Sequence, residues 1–433
     1  MVEKELKMDI KTVVLAAGKG TRMKSETPKV LHKIFEKTLL GYVLDGVKNF
    51  SSEAFVIVGH KAEEVTEFIN KSYPFAKTVL QTPQLGTGHA VSMVCPSLEK
   101  YNGLVLILCG DTPLVREATL KNFVEAHINS KADLTVMSTI FDNPTNYGRI
   151  IRSNSGALEK IVEEKDANPQ EKAVKEVNAG IYCLDWEKIK PAFSQLTSSN
   201  AQGEYYLTDI IEWANKQGLS VQASVLEDSD EIYGINSREN LATATEIMNK
   251  RKLKELMISG VTIVDPNSTW ISQDTEIGAD TIIFPSTYIE GSNNKIGKNC
   301  KIGPFAHLRG DVEIADDVKI GNFVEVKKSK INSHTNACHL SYIGDSELGS
   351  NINIGAGTIT ANYNPLTKVK SKTVLKDNVK IGSNSVLVAP VVVEEGANVG
   401  AGSVITKDVP ANALALTRGV LKVVEGWVSR FKK

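Results

Sequence analysis

An aliphatic residue, usually followed by glycine, returns about every six positions along the last third of the chain. Ile277, Ile283, Ile289, Ile296, Ile302, Leu308, Ile314, Ile320, Val326 and Ile331 set the rhythm, and Ile381, Leu387, Val393, Val399 and Ile405 resume it. A six-residue period matches neither the 3.6-residue helical turn nor plain strand alternation, so each unit reads as a short flat segment and a corner. The pattern predicts a parallel β-solenoid in which one side chain per six enters the axis. Glycines such as Gly303 after Ile302 relieve crowding at the bends. With three units per coil and coils stacked ~4.8 Å apart, residues 277–409 predict roughly seven coils.

The first half is patterned differently. Short apolar runs at 12–18, 54–58, 78–81, 104–109, 133–138, 179–184 and 220–226 read as strands, and stretches near 39–49, 61–71, 117–129 and 204–217 as helices. This alternation predicts a doubly wound α/β sheet, whose ligands bind beyond the carboxyl ends of the strands. From Ser237 to about Ser259, Leu241, Ala244, Ile247, Met248, Leu253, Leu256 and Met257 recur at helical spacing and predict a long connecting helix. Asn236, with Glu239 three residues on, reads as its cap. The predicted organisation is therefore 1–236, a linker helix 237–260, and 261–433.

Two strand ends carry chemistry. The first strand runs into Gly18-Lys19-Gly20-Thr21-Arg22-Met23, where small residues let backbone N–H groups approach an anion and Lys19 and Arg22 add positive charge. A tight βα connection without a ligand explains the same glycines. The most apolar strand, 104–109, delivers Asp111 to the sheet edge. That carboxylate suits nucleotide-bound Mg²⁺ as a hard oxygen ligand, or caps the turn Asp111-Thr112-Pro113.

Composition narrows the classes. The 50 Lys+Arg against 51 Asp+Glu among 433 residues leave no global basic field, so nucleic acid and acidic membranes are not expected partners. No apolar run reaches spanning length, and Met1-Val2-Glu3-Lys4-Glu5 lacks signal-peptide character, which predicts a cytoplasmic protein. Cys95, Cys109, Cys183, Cys300 and Cys338 are odd in number and scattered, which fits neither a disulfide framework nor a zinc site.

Several segments resemble known families. Leu15 to Met23, Pro28-Lys29-Val30-Leu31-His32, Gln84 to Ala90, Gly110-Asp111 and Asn200 to Asp209 resemble sugar-phosphate nucleotidyltransferases. Gly321 to Glu325, His339-Leu340-Ser341-Tyr342 and Asn353 to Thr358 resemble hexapeptide acetyltransferases. In order and length the whole is similar to the bacterial bifunctional N-acetylglucosamine-1-phosphate uridyltransferase/glucosamine-1-phosphate N-acetyltransferase family. The resemblance implies a Rossmann-like nucleotidyltransferase sheet followed by a left-handed parallel β-helix of hexapeptide repeats, assembled as a homotrimer. It implies acetyl transfer from acetyl-CoA to glucosamine 1-phosphate, then uridylyl transfer from UTP to N-acetylglucosamine 1-phosphate. The product that the resemblance implies is a cell-wall precursor.

Site residues follow from the same resemblance. Leu15, Ala16, Ala17, Gly18, Lys19, Arg22 and Lys29 surround the phosphates, and Gln81, Gly86 and Thr87 hold the uracil. Gly148, Glu163, Asn178 and Tyr206 contact the sugar nucleotide, and Asp111 and Asn236 bind Mg²⁺. In the solenoid His339 is the base that deprotonates the amine. Arg309, Lys327, Tyr342, Asn353 and Lys368 hold the amino-sugar phosphate, Asn362 and Tyr363 line the acetyl site, and Ala356, Ser383, Ala401 and Arg418 line the coenzyme A groove. The tail Glu425 to Lys433, with two aromatics and a basic end, reads as a cover for coenzyme A phosphates or as a frayed end.

The chain departs from the family pattern at Leu308-Arg309-Gly310-Asp311, which adds a carboxylate near Arg309, and at Asn362-Tyr363-Asn364-Pro365-Leu366 with a longer loop over 368–373. A single-activity nucleotidyltransferase on UTP or dTTP with a purely structural rod, and a non-catalytic regulatory subunit, share this architecture.

Overall fold

The computed structural model describes residues 9–419 and 421–431, and the chain divides into two compact units, Met1–Thr245 and Glu246–Lys433. The N-terminal pentapeptide and the last two lysines of the tail lie outside the described residues.

The first unit is built on a mixed sheet. Its strands are β1 (Ile10–Leu15), β2 (Glu53–Val58), β3 (Ala76–Leu80), β4 (Leu104–Cys109), β5 (Leu134–Ile140), β6 (Arg149–Arg152), β7 (Leu158–Val162), β8 (Glu176–Asp185) and β9 (Val221–Leu226). The order is β9-β5-β8-β4-β1-β2-β3, with the β6–β7 hairpin attached to β8. Alternate residues feed two cores: Val14, Val56 and Leu106 pack on one face, and Val13, Ile57 and Ile107 on the other. Helices α1 (Leu39–Asp45), α2 (Ala62–Ser72) and α4 (Glu117–Ser130) cover the first face. Helices α3 (Thr87–Ser92) and α5 (Asp209–Lys216) cover the second.

The doubly wound expectation holds, with three differences. Strand β8 runs antiparallel to β4 and β5, because the unforeseen hairpin β6–β7 turns the chain before it. Helix α1 ends at Asp45, and α5 starts at Asp209 because residues 204–206 form a loop tied through Tyr205 to the segment around Gly86. Helix α6 (Arg238–Ile258) is capped by Ser237, whose Oγ accepts from Asn240 N at 3.1 Å, while Asn240 Oδ1 accepts from Asn236 N. The Asn236 side chain is therefore not the cap.

The second unit is a left-handed parallel β-helix. Three parallel sheets of nine, eight and seven short strands form its faces A, B and C, starting at Thr262, Trp270 and Glu276 respectively. The solenoid thus begins about one coil before the rhythm marks it, where Ile263 and Ile271 already point inward. The named aliphatics line the axis; Ile302, Leu308, Ile320 and Val326 are fully buried. At the corners the backbone turns left-handed, mostly at Asn or Asp, such as Asp280, Asn299, Asp317 and Asn351. Face C carries a ladder of alternating charge in register: Glu276, Lys295, Glu313, Lys330 and Glu347 on successive coils.

Candidate active sites

In the sheet unit the ends of β1 and β4 meet. Gly110 N donates to Leu15 O at 2.9 Å, so the carboxylate that follows β4 stands beside the loop that follows β1. Ile235 N donates to Asp111 O at 2.9 Å and brings Asn236 to the same place. There Lys29 joins them: its Nζ lies 2.5 Å from Asp111 Oδ2 and 3.1 Å from Asn236 Oδ1. Three residues far apart in the chain thus converge through strand ends and one capped helix. Two hard oxygens already directed at one cation fit a divalent metal whose other ligands are phosphate oxygens and water.

The glycine loop leads away from this point. Gly20 adopts φ 60°, and a Cβ there would come 2.7 Å from Lys29 Cβ, so only glycine lets the loop lie on the lysine stem. Leu15 to Ala17 are largely buried, whereas Lys19 and Arg22 are exposed and have no side-chain partner among the described residues. Two free cations over a small-residue turn can meet a polyphosphate.

A second arc of the same unit is held by backbone. Gln81 is buried, donating from Nε2 to Gly86 O at 3.0 Å, and Thr87 Oγ1 accepts from Leu207 N at 3.0 Å. Gly148 O accepts from Asn178 N at 2.9 Å, and Glu163 accepts from Thr208 Oγ1 at 3.2 Å. Burial raises the Glu163 carboxyl above its ordinary range, with the Thr208 hydroxyl opposing. Asp209, at the start of α5, is pushed up to about 6, first by burial and then by Glu212 and Asp166. Tyr206 OH donates to Asp166 Oδ2 at 3.1 Å. Thr208, Asp209 and Asp166 escaped the sequence reading, although the first two close the quoted segment Asn200 to Asp209, whose run of polar residues ending in a carboxylate was the available signal.

On the solenoid, strand registers align Asn322 with His339, and Ala337 with Ile354, Ile381 and Val399. Two residues further along each strand, His339, Ala356, Ser383 and Ala401 therefore stack in one column down the corner between faces A and B. His339 is exposed, as its distance from the axial Ala337 predicts, and its Nδ1 lies 3.1 Å from Asn322 Oδ1. Arg418 donates to Ala401 O at the far end of the column. Small side chains thus run along the rod from an exposed imidazole. Beside it, Phe305, Phe323 and Leu340 are exposed and hold positive φ without the Asn or Asp side chains that ease it, and the two phenyl rings stack at 5.1 Å.

Across face B lies the other group. Register places Arg309 and Lys327 at the strand ends toward face C. Tyr342 OH lies 3.4 Å from Asn362 Nδ2, which also donates to Asp345. Arg309 pairs with Glu325 at 2.7 Å and Glu290 at 3.4 Å, so the carboxylates beside it belong to neighbouring coils. Asp311, suspected from the sequence, instead accepts from Asn293 Nδ2 at 3.0 Å. Asn353 faces outward on face A, in register with Asn336 and Lys380. Tyr363 and Lys368 belong to an exposed hairpin, Tyr363–Asn364 pairing with Val369–Lys370, which projects from the coil. In the tail, Trp427 and Phe431 pack at 4.9 Å over a short turn.

The nucleotidyl transferase family model matches residues 11–248, and the bacterial transferase hexapeptide model (six repeats) matches 295–328 and 372–407. Bifunctional GlmU proteins match almost end to end. The one from Clostridioides difficile is 44% identical over 456 residues, covering 98% of both chains. That from Caldanaerobacter subterraneus subsp. tengcongensis is 45% identical over 98% of this chain and 99% of its own, and that from Streptococcus suis 42% over 97% of each. With both halves matched and 44–45% identity to such proteins over 98% of its length, the chain belongs to the bifunctional GlmU protein family.

Proposed function

We propose that the enzyme makes UDP-N-acetylglucosamine in the cytoplasm by two separate reactions, with the boundaries 1–236, 237–260 and 261–433 marking the division of labour. In the solenoid, the amine of glucosamine 1-phosphate attacks the thioester of acetyl-CoA after His339 takes its proton. Ala356, Ser383, Ala401 and Arg418 hold the coenzyme, Arg309, Lys327, Tyr342, Asn353 and Lys368 the sugar phosphate, and Asn362 and Tyr363 the acetyl group. In the sheet unit, the phosphate of N-acetylglucosamine 1-phosphate attacks the α-phosphorus of UTP and pyrophosphate leaves. This reaction needs positioning and charge neutralisation more than an acid or base. Lys19, Arg22 and Lys29 supply cations, Gln81, Gly86 and Thr87 seat the base, and Gly148, Glu163, Asn178 and Tyr206 the sugar. Asp111 and Asn236 offer oxygens to Mg²⁺, which when bound neutralises phosphate charge.

The observation that carries the reading is the column from His339 to Ala401: a purely structural rod has no use for an exposed imidazole at the head of a line of small side chains. A non-catalytic subunit, likewise, has no use for the Lys29, Asp111 and Asn236 cluster. A homotrimer is part of the proposal. Support comes from the sites themselves, because His339 and Arg309 sit at opposite edges of face B and a second rod packed there would close the gap, covering Phe305, Phe323 and Leu340.

The test is a pair of substitutions read in two assays. His339→Ala is expected to abolish free coenzyme A release and leave pyrophosphate release from UTP intact, and Asp111→Ala to do the reverse. Loss of both activities in either variant overturns the two-site assignment.

A further inference from the structure

The Lys29 side chain occupies the position that the nucleotidyl-transfer reading gives to a metal. Its ammonium touches both oxygens assigned to the cation, Asp111 Oδ2 at 2.5 Å and Asn236 Oδ1 at 3.1 Å. The pair is shielded, with the lysine and aspartate side chains 13% and 20% exposed. A cation tethered to the same fold competes at a high effective concentration, whereas a free divalent ion must also shed water to enter. The lysine is also mechanically linked to the anion loop, since Gly20 lies against its Cβ and the loop's other cations, Lys19 and Arg22, are free to meet an incoming anion.

We propose that Lys29 is a resident competitor for the metal. In the free protein its ammonium keeps a divalent cation off Asp111 and Asn236. A nucleoside triphosphate settling on the glycine loop offers the ammonium a stronger anion, draws it from the two oxygens, and opens them to the metal that arrives with the nucleotide. Metal and nucleotide therefore enter together, and the site holds no idle divalent ion between turnovers. The inference rests on the assignment of Asp111 and Asn236 as metal ligands.

The experiment uses Mn²⁺ alone, titrated into the full-length protein without nucleotide, with bound metal read from the loss of the free-ion electron paramagnetic resonance signal. Lys29→Met is expected to bind Mn²⁺ at least ten-fold more tightly than wild type, with Lys29→Gln as a second variant should the first not fold. Adding Asp111→Asn to either should erase the gain. Lys24→Met, which removes a nearby charge outside the cluster, should stay within two-fold of wild type. Equal affinities in wild type and both Lys29 variants, all sensitive to Asp111→Asn, would overturn the competition and leave the metal site standing. A matching gain in Lys24→Met would overturn it as well, by reducing the effect to general charge. Mn²⁺ binding indifferent to Asp111→Asn in every background would instead overturn the metal assignment.

Discussion

Gly321→Ala should do more damage than adding one methyl group suggests. Gly321 lies in the strand Lys319–Asn322, directly against the next coil, and a Cβ there would sit 2.5 Å from the Cys338 carbonyl carbon and closer still to its oxygen. Carbon–oxygen contacts rest at about 3.3–3.6 Å, so the coils must part or the corner must twist. The backbone bonds at risk are Leu340 N to Asn322 O at 3.1 Å and Lys319 N to Thr335 O at 3.1 Å. Overpacking alone costs about 1–3 kcal/mol and each of the two weakened bonds about 1 kcal/mol, which together give about 3–5 kcal/mol. For a unit of this size that is roughly 6–20 °C in melting temperature. Differential scanning calorimetry reads the shift, with Gly419→Ala as the control, since a Cβ at Gly419 meets nothing within 4 Å. Because the displaced coil carries His339, acetyl transfer should fall while uridylyl transfer persists. A Gly321→Ala protein that melts with wild type and acetylates normally would refute the argument that this glycine is required by coil stacking.

Two smaller perturbations test other parts of the account. Glu313→Lys sets like charges against Lys295 and Lys330 on face C and should cost about 1 kcal/mol. Molar salt should recover most of it, and a loss that survives salt places the cost elsewhere. For Asp209, whose carboxyl is pushed up to about 6, the folded protein holds the proton more tightly than the unfolded chain at pH values between its ordinary range near ~4 and that value. Stability therefore falls as pH rises through this window, and Asp209→Asn should remove that part of the slope in urea unfolding; parallel curves for the two proteins from pH 4 to 7 contradict it.

Much of the fold was legible because its periods are strict. The six-residue rhythm named the axial residues one by one, since each coil repeats the same burial, and the apolar runs of the sheet marked β1, β2, β3, β4, β5, β8 and β9. The hairpin β6–β7 was missed because its strands are short and a buried Arg149 breaks the apolar pattern, although Ser153-Asn154-Ser155-Gly156 carried a turn signal. The first coil was missed because Thr262-Ile263 and Trp270-Ile271 lack the following glycine. At the sites, Asp111 was legible as the end of a strand. Asn236 was misread as a cap because Glu239 happened to stand three residues on, while the cap in the structure is Ser237.

The environment of Arg309 shows where sequence proximity misleads in a solenoid. The sequence points to Asp311 as the disturbing carboxylate, two residues away. In a stacked coil, however, a residue's lateral neighbours are one coil before and one coil after it, and for Arg309 these bring Glu290 and Glu325. Positions two apart straddle a corner, and there Asp311 turns to Asn293. The same arithmetic that hides this pair in the sequence exposes the corner column, because register carries Asn322 to His339 and onward to Ala356, Ser383 and Ala401 without any of them being adjacent in the chain. A site on such a rod is written at intervals of one coil. Charge near Arg309 is therefore set by the coils above and below it, and a change of amino-sugar preference is expected from Glu290 or Glu325 before it is expected from Asp311.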